Sequence, residues 1–103
     1  MKANSRLAVG AREMAIIRDI VARLLPEDVQ VSVFGSRAGG KPKPWSDLDL
    51  ALEGSAPLSL SLMAELAEAF DESELPWKVD IVDRSAVSKG FADIIDRDKV
   101  PLG

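Results

Sequence analysis

Three aspartates in the sequence have the residue type and the spacing that phosphoryl chemistry requires. Asp47 and Asp49 are separated by one leucine, and Asp80 lies within a second alternating segment, V-D-I-V-D. Residues two apart on a strand share a face, with their backbones about 6.6–7 Å apart. Their carboxylates can therefore lean together around one or two divalent ions. The chain has no histidine and no cysteine, so a metal held by oxygen, such as Mg²⁺ or Mn²⁺, is the candidate.

A glycine-rich basic segment lies directly before the first two aspartates. Gly35-Ser36 ends a β-branched run, and residues 36–46 contain Arg37, Lys41 and Lys43 but no acid. The chain has 13 basic and 17 acidic residues and a net charge of −4. Outside this segment ten basic residues stand against 17 acidic ones, a balance of −7. Such a surface repels a long nucleic acid, whereas one basic loop suits a small anion such as a triphosphate.

Two better-known motifs fit this region only in part. The segment G-S-R-A-G-G-K begins at Gly35, but a P-loop then needs Ser or Thr and a helix, whereas P-K-P follows. An EF-hand needs an oxygen ligand and then a glycine where Ala51 and Leu52 stand. Solvent-facing acids on an open sheet face are a third interpretation. The combination of Gly-Ser, a basic loop and a third acid on another strand argues against it.

Hydrophobic periodicity predicts the elements that must position these residues. Helical spacing predicts helices near 12–25, 62–70 and 86–95, and alternation predicts strands near 29–34, 47–53 and 77–83. The order α-β-β-α-β-α predicts one α/β (α+β) domain over residues 1–103, a small mixed sheet with helices packed on one face. The N-terminus lacks the apolar core of a signal peptide, and no run reaches membrane-spanning length. We therefore expect a cytoplasmic protein without membrane contact.

Other residues near the motifs have structural interpretations. We expect Trp45 to pack the basic loop onto the sheet rather than to stack on a base, and Phe34 and Trp77 to be core residues. Asp83 lies three residues before Ala86, which indicates a cap for the last helix rather than a fourth metal ligand.

The spacing of the motif resembles that of the minimal nucleotidyltransferases of the DNA polymerase β superfamily, whose signature is G-S, ten residues and D-x-D. Gly35-Ser36, residues 37–46 and Asp47-Leu48-Asp49 match it without a gap, and the third acid of the family falls on Asp80. The resemblance implies a polymerase β palm-like fold over nearly the whole chain. It implies ATP as substrate, and the predicted nucleotide-binding residues are Gly35, Ser36, Arg37, Lys41 and Ser46. It also implies two Mg²⁺ ions, with Asp47, Asp49 and Asp80 as the catalytic and metal-binding acids.

The sequence departs from the family pattern at Gly39, where G-S-R-A-R-G has a second arginine. Lys41 or Lys43 can supply that charge, although lysine is a point charge without the planar grip of arginine. Family members of this size pair with all-helical HEPN proteins that act as toxins. The resemblance therefore implies an antitoxin that adenylylates a tyrosine of a HEPN toxin within a hetero-oligomer, without direct contact to nucleic acid. The chain contains no Tyr and no Thr, which points to an external acceptor.

Two other functions remain open at this point. A non-catalytic antitoxin would bind nucleotide and neutralise its partner by complex formation, and the Gly39 departure favours this alternative. Transfer to a small molecule, as in the aminoglycoside adenylyltransferases, would need a further substrate domain that 103 residues cannot hold.

Overall fold

The three predicted helices and three predicted strands begin and end within a few residues of the predicted bounds, and a fourth, short strand was not predicted. The computed structural model describes residues 7–102. Its helices are α1 (Ala11–Leu24), α2 (Leu60–Asp71) and α3 (Lys89–Asp98), and its strands are β1 (Gln30–Phe34), β2 (Leu48–Glu53), β3 (Val79–Asp83) and β4 (Val100–Pro101). Short 3-10 turns follow β1 and β3. Among the described residues, no helix combines the length and the apolar character that a membrane span needs.

The strands form a mixed sheet in the order β3-β2-β1-β4. β1 and β2 are antiparallel, with Phe34 opposite Asp49, and β2 and β3 are parallel, with Asp49 opposite Asp80. A parallel pair requires a crossover connection, and α2 provides it. The mixed sheet confirms the predicted fold class. It also delivers Gly35, at the end of β1, and Asp80, on β3, to the two sides of Asp49.

One face of the sheet carries the main hydrophobic core, against α1 and α2. The strict alternation of β2 turns its three leucines toward this face, where they are fully buried. Asp49 and Ala51 consequently point to the opposite face. The largest fully buried side chains are Ile17, Val33, Leu48, Leu50, Leu52, Leu66 and Ile95.

The helices do not all lie on one face, which corrects that part of the fold prediction. On the face that carries Asp49, α3 contributes Ile95 to a second cluster with Phe34 and Ala51. The rings of Phe34 and Phe91 also meet edge to face, with centroids 5.8 Å apart. Ion pairs fasten α3 to the end of β2 and to the turn after β3; their members are Glu53, Arg84, Asp96 and Lys99. The hydrophobic face of α3 packs against this second cluster, and α3 therefore covers part of the sheet face that carries Asp49.

The start of α3 also differs from the prediction. Ser88 caps the helix, because its Oγ accepts a hydrogen bond from the backbone N–H of Phe91. Asp83 caps the preceding 3-10 turn instead, accepting from the N–H of Ser85, and it also accepts from the N–H of Leu58 at 2.8 Å. The buried Asp83 carboxylate therefore ties the end of β3 to the loop before α2.

Candidate active site

Asp49 and Asp80 lie side by side on neighbouring strands, and Asp47 lies just before β2. The parallel register places Asp49 directly opposite Asp80, and neighbouring strands are about 4.8 Å apart. Asp49 and Asp80 are half-buried, whereas Asp47 is exposed. The fold thus brings Asp49 and Asp80 together, and Asp47 lies near enough for its charge to act on Asp49.

Asp49 has the electrostatic character of an acid within a cluster. Its pKa is raised above the ordinary value, first by burial and then by the negative charges of Asp80 and Asp47. All three causes disfavour the ionised carboxylate. A cation among the three acids would relieve this repulsion, so the electrostatics of the cluster favour a positively charged ligand.

Gly35 lets the backbone pass directly in front of Asp49. Its φ of +77° lies in the left-handed region, where a residue with a Cβ is strained. A Cβ at this position would also collide with a carboxylate oxygen of Asp49. The 3-10 turn that begins here presents Ser36, whose hydroxyl has no hydrogen-bond partner within residues 7–102. The turn therefore offers both a close approach to the acids and a free hydroxyl.

Arg37 is buried, with 6% of its surface exposed, and its guanidinium is engaged inside the loop. It lies 4.5 Å from the centre of the Trp77 ring. It donates at 2.9–3.2 Å to backbone carbonyls, which belong to Ala8, Lys43, Pro44 and Ser46. These contacts engage the guanidinium with the loop backbone, and the nucleotide-binding role of Arg37 stays a prediction.

The rest of the loop divides into a turn and two exposed lysines. The N–H of Ser46 donates to the carbonyl of Lys43 at 3.0 Å, and its Oγ accepts from the N–H of Lys43 at 2.9 Å. The Ser46 hydroxyl is therefore used to close the turn before Asp47. Lys41 and Lys43 have exposed side chains, so the positive charge of the loop faces solvent close to the acids in the chain.

Lys78 also belongs to this cluster, although the sequence analysis did not single it out. Lys78 and Asp80 are two residues apart and share a face, and Lys78 Nζ lies 3.4 Å from Asp80 Oδ1. Their side chains are 68% and 43% exposed, so the ion pair itself contributes little stability. The alternation K-V-D around Val79 is the sequence signal that indicates this residue.

The donor set of the site is suited to a metal ion that arrives together with phosphate. Within residues 7–102, no three acidic side chains are close enough to form a complete metal cage. Mg²⁺ in phosphoryl-transfer sites is usually held by one or two carboxylates together with phosphate oxygens of the substrate. The oxygen-only cluster of Asp47, Asp49 and Asp80 fits that mode of binding.

In sequence, the chain matches a family model and a named relative that describe the same kind of enzyme. The family model described as "Nucleotidyltransferase domain" matches residues 14–102. A Haemophilus influenzae protein named "Probable protein adenylyltransferase MntA" is 43% identical over 95 residues, which cover 92% of this chain and 82% of that protein.

Solved structures match the fold as well. One described as a minimal nucleotidyltransferase has a TM-score of 0.64 at 32% identity, with 88% of this chain and 89% of that chain covered. A toxin–antitoxin crystal structure with AMP-PNP has a TM-score of 0.73 at 24% identity, covering 87% of this chain and 72% of that one. A Shewanella oneidensis complex of a tri-AMPylated HEPN toxin with an MNT antitoxin has a TM-score of 0.60 at 21% identity, and the match covers 87% of this chain and 68% of that one. The last two identities are low, so they show likeness of fold alone.

Proposed function

The chain belongs to the nucleotidyltransferase domain family, and on that premise we propose that it is a Mg²⁺-dependent enzyme that transfers AMP from ATP to a hydroxyl group of a partner protein. The observation that carries the proposal is the pairing of Asp49 with Asp80 on neighbouring strands, with Gly35 against Asp49 and Asp47 near enough for its charge to act on Asp49. The raised pKa of Asp49 supports it, because burial and the two neighbouring acids leave a demand for positive charge. The 43% identity to a protein named as an adenylyltransferase also supports it.

Each residue of the cluster has a role in the proposed reaction. Asp47, Asp49 and Asp80 hold the Mg²⁺ ions, Gly35 leaves room for the triphosphate, and Ser36 donates a hydrogen bond to a phosphate oxygen. Arg37 acts indirectly, by holding the loop that carries Lys41, Lys43 and Ser46. When bound, Mg²⁺ neutralises charge on the attacking and leaving oxygens.

The transfer itself exchanges one phosphorus–oxygen bond for another. Asp80 accepts the proton of the acceptor hydroxyl, and the acceptor oxygen attacks the α-phosphorus of ATP. The bond from the α-phosphorus to the bridging oxygen breaks, and pyrophosphate leaves. AMP remains on the acceptor, while the cluster and its lysines balance the negative charge that builds up on the phosphates.

The proposed acceptor is a tyrosine of a HEPN-type toxin, with this chain as the antitoxin of a hetero-oligomeric pair in the cytoplasm, where ATP is available. The similar Shewanella oneidensis complex contains a tri-AMPylated HEPN toxin and an MNT antitoxin, which supports this assignment of the partner. The chain has no tyrosine of its own. A single domain over residues 1–103 is part of the same proposal.

A non-catalytic antitoxin is the second candidate, and Gly39 is the residue that favours it. Gly39 has φ +102° and no atom within 4 Å of a Cβ built on it. The place of the second family arginine is therefore open space around a backbone that disfavours a side chain. Lys41 and Lys43 are the residues that would compensate in the catalytic account.

Intact-mass measurement of the HEPN-type partner separates the two functions. The partner is co-expressed with the wild-type chain, with Asp47→Asn/Asp49→Asn, or with the control Asp71→Asn/Asp93→Asn, which removes two exposed acids outside the cluster. We expect a gain of whole AMP units with the wild type and the control, and none with the site variant. A partner that is neutralised equally well by all three chains without any mass change would establish neutralisation by binding.

A further inference from the structure

Trp45 is the exposed aromatic residue of the basic loop, and the packing role expected from the sequence is wrong. The residue is 72% exposed, rather than packed against the sheet. Lys43 Nζ lies 5.9 Å from the centre of its ring, so a cation lies near the indole while most of its surface remains open to solvent. A large apolar ring in this position is available to a ligand.

The loop around Trp45 is held firmly on both sides of the indole. The Arg37 guanidinium donates to the carbonyls of Lys43 and Pro44 before it and to that of Ser46 after it. The turn is closed by two further hydrogen bonds between Lys43 and Ser46. These hydrogen bonds hold the backbone that carries Trp45. Binding of a ligand to the ring therefore has a small entropic cost for ordering the loop.

The charge and the position of the loop indicate which ligand it meets. The loop begins at Gly35-Ser36 and ends at Asp47, so both of its ends belong to the proposed triphosphate site. Its exposed charges, on Lys41 and Lys43, are positive, while the rest of the chain is strongly acidic. Trp45 lies two residues before Asp47, so its exposed indole is adjacent in the chain to the acids that would bind the phosphate end of an anionic ligand.

We propose that Trp45 stacks on the base of the bound nucleotide and thereby sets the affinity of the site for nucleotides over other polyphosphates. The proposal rests on the proposed nucleotidyltransferase function and adds the part of the site that contacts the base. Stacking on an aromatic ring is tolerant of base identity, because every base has a π-face. Trp45 therefore distinguishes a nucleotide from a bare phosphate chain, and it does not by itself distinguish adenine from guanine.

Calorimetric titration of two ligands tests this assignment. MgATP and Mg-tripolyphosphate share the phosphate chain, but only MgATP has a base. We expect Trp45→Ala to weaken MgATP binding by about 5- to 150-fold, the range that corresponds to roughly 1–3 kcal/mol per stacked base. Binding of Mg-tripolyphosphate should be unchanged, and Trp45→Phe should retain most of the MgATP affinity.

Leu60→Ala is the matched control, since Leu60 is an exposed apolar residue at the start of α2, at 88% exposure, and it should leave both affinities unchanged. Equal loss of both ligands in Trp45→Ala would overturn the stacking role, because it would indicate damage to the loop. Unchanged MgATP affinity would overturn it too, and a weakened complex with the partner protein would then place Trp45 in the protein interface. A wild-type chain that binds neither ligand would instead contradict the proposed function itself.

Discussion

Asp49 is the acid of the site whose pKa the local environment raises. It lies between Gly35, which approaches it from β1, and Asp80, which faces it from β3. Its raised pKa means that the folded chain binds a proton at this carboxylate more tightly than the unfolded chain does. The ionised form therefore lowers the free energy of unfolding once the pH exceeds the ordinary value of 3.8, and the full penalty is present above the raised pKa.

Replacing Asp49 with asparagine should stabilise the free protein and abolish AMP transfer. At pH 7 we expect the melting temperature to rise by a few degrees, since about 1 kcal/mol corresponds to roughly 4–8 °C in a domain of this size. The gain should shrink as the pH is lowered through the raised pKa toward 3.8, because the folded wild-type carboxylate takes up its proton over this range. Thermal unfolding by circular dichroism measures it, with the exposed Asp47→Asn as a control of smaller expected effect. A wild type that is the more stable of the two at pH 7 would contradict the repulsion inferred at Asp49.

Gly35 and Gly90 should respond to alanine in opposite directions. Gly35→Ala forces a Cβ into the left-handed region, at about 1–2 kcal/mol, and against the Asp49 carboxylate, so both stability and nucleotide binding should fall. Gly90 lies in α3 with open space around its Cβ position. Gly90→Ala should therefore stabilise the chain by roughly 0.5–1 kcal/mol. Denaturant unfolding of both variants checks the pair, and a loss of equal size in both would refute the argument.

For single residues, the sequence predicts which face of a strand a side chain lies on, because that depends on local periodicity. The alternation of β2 and β3 is enough to place Asp49 and Asp80 on one face. Arg37 is different, because its orientation depends on contacts distant in the chain. The Arg37 guanidinium is held by the carbonyl of Ala8 and by the ring of Trp77, and neither contact leaves a signal in the loop sequence.

Among the elements, the loop between β1 and β2 is the one that assembles the site. It has no regular structure from residue 41 to 47, so its shape depends on the hydrogen bonds that the buried Arg37 donates to its carbonyls. A buried acceptor that loses its donor costs about 1–3 kcal/mol. The Arg37 guanidinium therefore stabilises the loop by donating to several of its carbonyls at once.

Arg37→Lys should loosen this loop even though it keeps the charge. The lysine ammonium cannot reproduce the planar arrangement of donors, so we expect a loss of about 1–3 kcal/mol in the free energy of unfolding and faster amide exchange in residues 38–46. Hydrogen–deuterium exchange with mass spectrometry measures the second effect. Arg97→Lys is the control, because the Arg97 side chain is 72% exposed and should change neither quantity. Unaltered exchange in the loop of Arg37→Lys would show that other contacts hold it.

The C-terminal elements show why the remaining structure escaped prediction. β4 has only two residues, one of them a proline, and it pairs with Ser32 and Val33 at the edge of the sheet. Two residues are too few to show alternation. The predicted start of α3 is wrong because Asp83 and Ser88 are both good capping residues. The hydrogen bond that engages Asp83 elsewhere comes from the N–H of Leu58, 25 positions away in the chain, and leaves no local signal.

At the scale of the whole molecule, we expect Mg²⁺ and the nucleotide to bind together rather than separately. The described residues hold no ready-made metal cage, and Mg²⁺ relies on substrate phosphates to complete its ligand set. The chain as a whole is acidic, but the oxygen atoms at the site are too dispersed to capture the ion alone.

MgATP should therefore stabilise the fold far more than Mg²⁺ does. A ligand at one hundred times its Kd adds about 2.7 kcal/mol, which corresponds to a rise of roughly 10–20 °C in melting temperature for a domain of this size. Mg²⁺ alone at the same concentration should give only a small fraction of that rise. Differential scanning fluorimetry compares the two, with Asp47→Asn/Asp49→Asn as the variant that should lose the MgATP effect. An equal rise with Mg²⁺ alone would mean that the acids form a metal site without nucleotide.

The parallel pairing of β2 with β3 has a consequence during synthesis of the chain. A nascent chain that has left the ribosome only as far as Gly54 already carries Gly35, the basic loop and two of the acids. It has neither Asp80 nor Lys78, and β3 can pair with β2 only after α2 has crossed the sheet. Non-local pairings of this kind form late because the loop must close first. In the proposed reaction, AMP transfer to a partner protein made at the same time therefore requires chains whose translation has proceeded beyond β3.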